Sequence, residues 1–223
     1  LVGCADIVMP PNNNSEKLLQ EYGVTSRMIP VGAWDYLLSD NQTAPYVKHT
    51  DGKWKLAFAG NLDKSAFLFD LGKVKGDDLS FELWGNITKD TNKLPGNCVD
   101  HGAVAPEELP RSLAGCHFGL VWDGISVDTC DGGLGVYLRY NNSHKCGLYL
   151  ASGIPVFVWK QSGLAHFVAE HGCGYAVESL DEIDGILNGM SDSEYEKLIE
   201  NTENTAHILR KGGLLENAYR KMF

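Results

Sequence analysis

Apolar residues in this chain gather into short continuous blocks separated by Gly, Asp and Asn, with little strict alternation. Lys55–Ala59, Leu79–Trp84, Phe118–Trp122, Pro155–Trp159 and Gly174–Val177 predict short strands, and Val99–Gly102 a short extended piece. Between them, Ser65–Leu71, Pro106–Leu113, Ser143–Ser152 and Gly163–His171 predict helices, with Pro106 in the first turn of its own. Strands alternating with short helices imply βαβ crossovers and a parallel sheet. Continuous apolar runs, as opposed to alternating ones, fit strands covered on both faces. Ile125–Gly135 is rich in Gly and Asp and predicts a loop. Tyr195, Leu198, Ile199, Thr202, Ala206 and Leu209 recur at helical spacing until Gly212-Gly213, and a final short helix follows.

The first residues carry a different pattern. Leu1–Pro10 predicts a short buried strand, centred on Cys4–Met9, that runs into the turn Pro10–Asn14. Ser15 is expected to cap a helix reaching Tyr22, and Gly23 to end it. Val24–Gly32 predicts an extended piece, and the polar, irregular Trp34–His49 a linker. The expected organisation is therefore residues 1–48 as the end of one domain plus a linker, 49–190 as an α/β domain and 191–223 as terminal helices. The chain does not begin with Met, so its start is expected to fall inside a larger protein.

Composition narrows the function. The chain has 223 residues, 43% of them hydrophobic, which is enough for one substantial core. A net charge of −10 argues against a nucleic-acid partner, because that affinity comes mostly from a basic face. No apolar run is long enough to span a bilayer. The six cysteines are irregularly spaced without a C-x-x-C pair, so reduced thiols in a cytoplasmic protein are expected. Asn41-Gln42-Thr43 then carries no meaning as a glycosylation triplet.

In an open parallel sheet, ligands bind beyond the carboxyl ends of the strands. Three segments fall there. Gly60-Asn61-Leu62-Asp63-Lys64-Ser65 follows the first strand of the α/β region. Its glycine lets backbone approach a phosphate that Lys64 could reach, although the same residues also fit an ordinary βα turn. Tyr140-Asn141-Asn142-Ser143-His144-Lys145 precedes a helix whose free N–H groups attract an anion. Lys145, in the first turn, opposes the positive end of that helix dipole. An anionic ligand explains the placement, and a solvated lysine is the alternative. Asp123-Gly124 ends a central strand, where the carboxylate either accepts sugar hydroxyls or caps a turn. No Asp-x-Asp, helical His pair, P-loop, G-x-G-x-x-G or G-x-S-x-G occurs, so neither a metal nor a cofactor is expected.

The stretch Ser143–Val156 resembles the P-x-K-x-x-E-Y-x-A-x-G-x-P-V segment of two-Rossmann-domain (GT-B) glycosyltransferases. Ala57–Leu62 is similar to the glycine loop that opens their C-terminal, donor-binding half. Gly32-Ala33-Trp34-Asp35-Tyr36 and Tyr140–Lys145 resemble a bacterial subfamily of glucosyltransferases that modify serine-rich-repeat adhesins, with β-1,6-galactofuranosyltransferase relatives. Two positions depart from the pattern: Ser143 replaces Pro, and Leu148 replaces a Glu that holds the ribose.

This resemblance implies the C-terminal half of a GT-B fold, a Rossmann-like parallel sheet with helices on both faces and a helical C-terminus. It implies a UDP-sugar donor, a glycan or glycoprotein acceptor and metal-independent, retaining transfer of a hexose such as glucose or galactofuranose. Lys64, Lys145 and Asn141 are then the groups expected to stabilise the departing diphosphate. Gly85 and Gly102 would let backbone approach uracil or ribose, and Asp123 and Gly124 would face the sugar. Gly60, Asn61, Tyr140, Ser143 and His144 complete the expected donor site. A non-catalytic nucleotide-sugar-binding subunit and a UDP-sugar epimerase are the alternatives, and a homo-oligomer is a further partner state left open. As a donor half, the chain is expected to bind the nucleotide sugar without transferring it.

Overall fold

The computed structural model describes residues 4–39 and 52–223. Six strands form one all-parallel sheet: β3 (Trp54–Ala59), β4 (Leu79–Trp84), β5 (Cys98–Asp100), β6 (Phe118–Val121), β7 (Val156–Trp159) and β8 (Gly174–Val177). Their order is β5-β4-β3-β6-β7-β8. The chain thus builds outward from β3 to one edge, returns beside β3 as β6, and builds outward again. That reversal opens a crevice beyond the carboxyl ends of β3 and β6, the ligand position of doubly wound sheets.

Each face of the sheet has its own core, which explains the unbroken apolar runs. Leu56, Phe58, Phe81, Phe118, Phe157 and Trp159 pack on one face under Phe67, Leu68 and Leu71 and under Leu180, Ile183 and Tyr195. Ala57, Ala59, Val121, Val156 and Val158 face the other way, against Tyr149, Leu150, Phe167, Val168 and Leu209. This second face is kept small so that α4 (His144–Ala151) can sit close. A Cβ on Gly119 would overlap the ring of Tyr149.

The remaining helices are α1 (Asn13–Glu21), α2 (Leu109–Ser112), α3 (Gly132–Tyr137), α5 (Ala165–His171), α6 (Glu182–Gly189), α7 (Asp192–Leu209) and α8 (Gly213–Arg220). α7 begins with a capping box, in which Ser191 and Glu194 satisfy each other's backbone N–H groups. Its last turn is tied to α4 by Arg210, whose Nε donates to the Ala151 carbonyl at 2.8 Å. Asp35 caps α8, accepting from the N–H groups of Leu214 and Leu215.

Several local expectations are corrected. α1 is capped by Asn12, not Ser15, and Asn12 accepts from the Ser15 N–H at 3.0 Å. The expected helix at Ser65–Leu71 is 3₁₀ over Leu62–Lys64 and Ala66–Lys73, where tight turns fit between β3 and β4. The predicted loop Ile125–Gly135 gives way to α3, and α6 had no prediction. The proline in the first turn of α2 is Pro110, so Pro106 lies before the helix. The expected first strand shrinks to β1 (Ile7–Val8), half-buried and paired in parallel with β2 (Arg27–Met28).

Residues 4–39 are packed on the α/β unit. Ile29, Val31 and Ala33 are buried in the second core, and the buried amides of Asn12 and Asn142 bond each other at 2.8 Å. The expected boundary at residues 48 and 49, most of the linker and Asn41-Gln42-Thr43 lie outside the described residues.

Candidate functional site

Three glycine turns stand side by side at the carboxyl ends of β3, β4 and β5. The Gly60 N–H donates to the Trp84 carbonyl at 2.9 Å, and the Gly85 N–H to the Gly102 carbonyl at 2.9 Å. Gly60 and Gly85 approach so closely that a Cβ on Gly85 would overlap the Gly60 carbonyl oxygen, and Gly85 has φ of +148°. Only glycine fits that combination of contact and dihedral. Beside them is a cleft of about 260 Å³, floored by Trp84, Val104 and Leu109 and rimmed by Gly60, Asn61 and Gly85. Its apolar floor and backbone rim suit a flat ring with polar edges.

Gly60 also meets the start of α4. Lys145 reaches back over the end of β3, where a Cβ on Gly60 would lie 3.2 Å from its Cε. Its Nζ is 4.7 Å from the centre of the Phe58 ring and 3.8 Å from Asp123 Oδ2. The side chains of Lys145 and Asp123 are 20% and 18% exposed, so this cation is mostly withdrawn from water while still open at one end. Burial lowers the Lys145 pKa, and the Asp123 carboxylate opposes that shift. The lysine sits in the first turn of α4, against the helix dipole. A withdrawn ammonium at a helix start is arranged to receive a second negative charge.

Tyr149, four residues further along α4, locks this geometry. Its hydroxyl, fully buried, accepts the Ala59 N–H at 2.7 Å. That bond joins α4 to β3 one residue before Gly60, and burial pushes the phenol pKa up. Asn142 does the same for the preceding loop: its Nδ2 donates to the Pro11 carbonyl at 2.7 Å, and its Oδ1 accepts from Asn12. Neither residue was singled out from sequence. The signal for Tyr149 was its place, one helical turn beyond Lys145 on the same helix. Asn142 differs from Asn141 only in which way the loop turns.

The structure thus brings Gly60, Gly85, Gly102, Lys145 and Asp123 to one edge, with Asn61 on the cleft rim. Gly124 follows at the turn, where its carbonyl accepts the Phe67 N–H. Ser143 occupies the N-cap of α4, but its side chain caps nothing. His144 is exposed and stacks on Trp34, with ring centres 6.2 Å apart. Lys64 is exposed at the end of its 3₁₀ turn, and no contact among the described residues draws it to Lys145. Asn141 is half-buried, with its N–H on the Tyr137 carbonyl. Tyr140 offers its carbonyl to Asn12 and Ser15 and lines a different cleft, beside Lys17.

Sequence also passed over Glu82, a carboxylate inside an apolar strand. It is buried, accepts from Ser80 Oγ at 2.8 Å and pairs with His101 Nε2 at 2.6 Å. His101 in turn lies flat on Trp84, with ring centres 4.4 Å apart and planes 9° from parallel. The histidine therefore anchors the strand end that leads to Gly102. Among the described residues, no group of three or more His, Cys, Asp or Glu side chains is placed to hold a metal ion. No described helix is long and apolar enough to cross a membrane.

Residues 56–222 match a protein family described as the glucosyltransferase 3-like, C-terminal domain. The chain belongs to this family. A β-1,6-galactofuranosyltransferase, WbbI of Escherichia coli strain K12, is 32% identical over 222 residues, covering 97% of this chain and 63% of that protein. Glucosyltransferase 3 of Streptococcus gordonii is 27% identical over 210 residues, covering 92% of this chain and 58% of that protein. The chain thus spans about three-fifths of the length of these relatives. Among solved structures, Anabaena HepE in complex with UDP and glucose superposes with a TM-score of 0.58 at 15% identity, covering 98% of this chain and 62% of that one. The glucosyltransferase 3-like domain accordingly has the Rossmann-like architecture of a GT-B half, as the resemblance at Ser143–Val156 implied.

Proposed function

We propose that this chain carries the donor site of a UDP-sugar-dependent glycosyltransferase, with uridine in the Trp84 cleft and the diphosphate between Gly60 and Lys145. The observation that carries this reading is the position of Lys145: a largely buried ammonium at a helix start, held over a glycine turn and only loosely paired at 3.8 Å. Relatives named as galactofuranosyl- and glucosyltransferases, and a similarly folded protein described in complex with UDP and glucose, support it.

In this reading the bond from the anomeric carbon to the diphosphate breaks with its electron pair going to UDP, an acceptor hydroxyl bonds that carbon on the face UDP leaves, and the hydroxyl proton passes to the departing phosphate oxygen. Lys145 and the N–H groups of α4 stabilise the charge that develops on the leaving oxygen. Asp123 holds Lys145 in place and, with Gly124, borders the space for the sugar. Asn61, Lys64 and Asn141 reach the phosphates only by side-chain movement on binding. Without an acid at Leu148, the ribose is left to the Gly85 turn, whose N–H is already bonded to the Gly102 carbonyl. Transfer proceeds without a metal and with retention, in the cytoplasm, to a glycan or glycoprotein acceptor. Residues up to 48 would belong to the acceptor side of such an enzyme, 49–190 to the donor domain and 191–223 to the helices that close it. Positioning of the acceptor supplies much of the rate, so the 223-residue chain is expected to bind donor without extending an acceptor.

The test is a side-by-side calorimetric titration with UDP, ADP, UDP-glucose and UDP-galactofuranose. Tighter binding of the uridine nucleotides than of ADP is expected, and the tighter of the two sugars names the donor. Equal binding of UDP and ADP, or of neither, would overturn the reading.

A further inference from the structure

The floor of the cleft beside Gly60 is supported by a residue that does not line it. Trp84, Val104 and Leu109 face the cleft, and His101 does not. The His101 ring lies flat on the Trp84 indole, with centres 4.4 Å apart and planes 9° from parallel. Its Nε2 meets Glu82 Oε2 at 2.6 Å, and its backbone N–H donates to the Leu83 carbonyl at 2.9 Å. The imidazole is therefore clamped by a carboxylate at one edge and by an indole on one face.

Glu82 is costly where it stands. Every residue of β4 is buried, and a carboxylate there destabilises the fold unless it is paired. Its side-chain partners among the described residues are Ser80 Oγ at 2.8 Å and His101. An apolar residue of similar volume would fill the space at least as well. What a carboxylate adds is direction, because it fixes which way the imidazole N–H points.

That direction reaches the cleft by two routes. The first is the Trp84 ring itself. The second is the backbone: the Gly85 N–H donates to the carbonyl of Gly102, the residue after His101, at 2.9 Å. Ala103 and Val104 come next in the chain and stand on the cleft wall. Lys145 and Asp123 are off that wall.

We propose that His101 is a positioning residue for the nucleoside: oriented by Glu82, it sets the tilt of Trp84 and the course of the Gly102 turn, and through them the affinity for the uracil ring. This rests on the reading that uridine occupies the Trp84 cleft.

The test separates the base from the phosphates. Uridine, UDP and pyrophosphate are titrated one by one into the protein, and the indole N–H resonance of Trp84 is followed. Trp84→Phe assigns that resonance among the five tryptophans. The Trp84 signal should move with uridine and UDP. His101→Ala should weaken both by about three- to tenfold, the share of an aromatic pair and a hydrogen bond. Pyrophosphate affinity should stay within about twofold, because its proposed partners are off the cleft wall. His101→Gln keeps an N–H for Glu82 without the flat ring, and serves where alanine prevents folding; it should weaken uridine in the same sense. Glu82→Gln still offers the imidazole an acceptor, so its loss should be the smallest, about two- to threefold. A parent protein that binds neither UDP nor uridine would sink the donor reading, and this inference with it. A parent that binds UDP, with uridine affinity within twofold in both His101 variants, would overturn this inference alone. So would equal losses for uridine and pyrophosphate, or loss of the far-UV circular dichroism signal in both His101 variants, since either would make the pair a support of the fold.

Discussion

Replacing Lys145 by methionine separates charge from packing at the candidate diphosphate site. Methionine keeps most of the stem that lies on Phe58 and over Gly60, and removes only the ammonium. In the folded protein that ammonium attracts Asp123 at 3.8 Å, about 4 kcal/mol of Coulomb energy at an effective dielectric of about 20. Burial works against it, as the lowered pKa shows, and in partly buried pairs the two effects largely cancel. The sign of the pH effect follows. A lysine whose folded pKa lies below its unfolded value of 10.5 binds its proton less readily when folded, so its protonation weakens the fold below that folded pKa. Lys145→Met should therefore leave the Tm at neutral pH within roughly 2–4 °C of the parent, the shift expected for about 1 kcal/mol in a chain of this size. Binding should respond quite differently. A charge-assisted contact to a diphosphate contributes about 1.5–3 kcal/mol, so UDP affinity should fall by roughly 10- to 150-fold. Differential scanning fluorimetry and calorimetric titration of the same samples measure both. A UDP dissociation constant within twofold of the parent would refute the assignment. A large loss of Tm with unchanged affinity would instead make Lys145 and Asp123 a structural pair.

Tyr149→Phe strips the Ala59 N–H of its buried acceptor and should cost about 1–3 kcal/mol of stability by denaturant unfolding, with a weaker loss of UDP affinity because Gly60 is next in the chain. Gly85→Ala drives a methyl group into the Gly60 carbonyl at φ +148° and should destabilise by roughly 1–3 kcal/mol or more, read as a lowered urea midpoint. Burial pushes the thiols of Cys116, Cys130 and Cys173 from 9.0 up to about 12, so the folded state holds those protons more tightly than the unfolded chain. Stability from these groups is complete below pH 9.0 and declines as pH rises toward about 12, which alkaline unfolding curves of the Cys130→Ala variant should show as a reduced loss. EDTA should leave UDP affinity unchanged, and a drop reversed by magnesium or manganese would contradict the metal-free reading of the site.

Much of the architecture was legible because it depends on local pattern. Continuous apolar runs such as Phe118–Val121 mark strands buried on both faces, and the alternation with helices demands parallel crossovers. The lysine at the start of α4 was conspicuous because it opposes its own helix dipole, a property that needs no tertiary information. Local pattern failed where context decided. Ile125–Gly135, rich in Gly and Asp, reads as a loop, yet Gly132–Tyr137 closes as α3, with Gly135 set against the turn that follows β6. Asn12 outcompetes Ser15 as a cap because its amide is also held by Asn142, 130 positions away in sequence.

The site itself belongs to the tertiary structure. Gly60 and Lys145 are far apart in the chain and meet only because β6 returns beside β3, a strand order that no local periodicity encodes. Strand order is chosen by which arrangement buries both faces of the whole sheet at once, so it is a property of all the strands together. The same holds for the small residues on one face, Ala57 and Gly119, which let Tyr149 reach the Ala59 N–H. Sequence alone determined that this chain forms a parallel α/β sheet with polar turns at its carboxyl edge. Only the packing of α4 across β3 and β6 decided which of those turns share a cleft, because that distance is set by side-chain volumes from several elements at once.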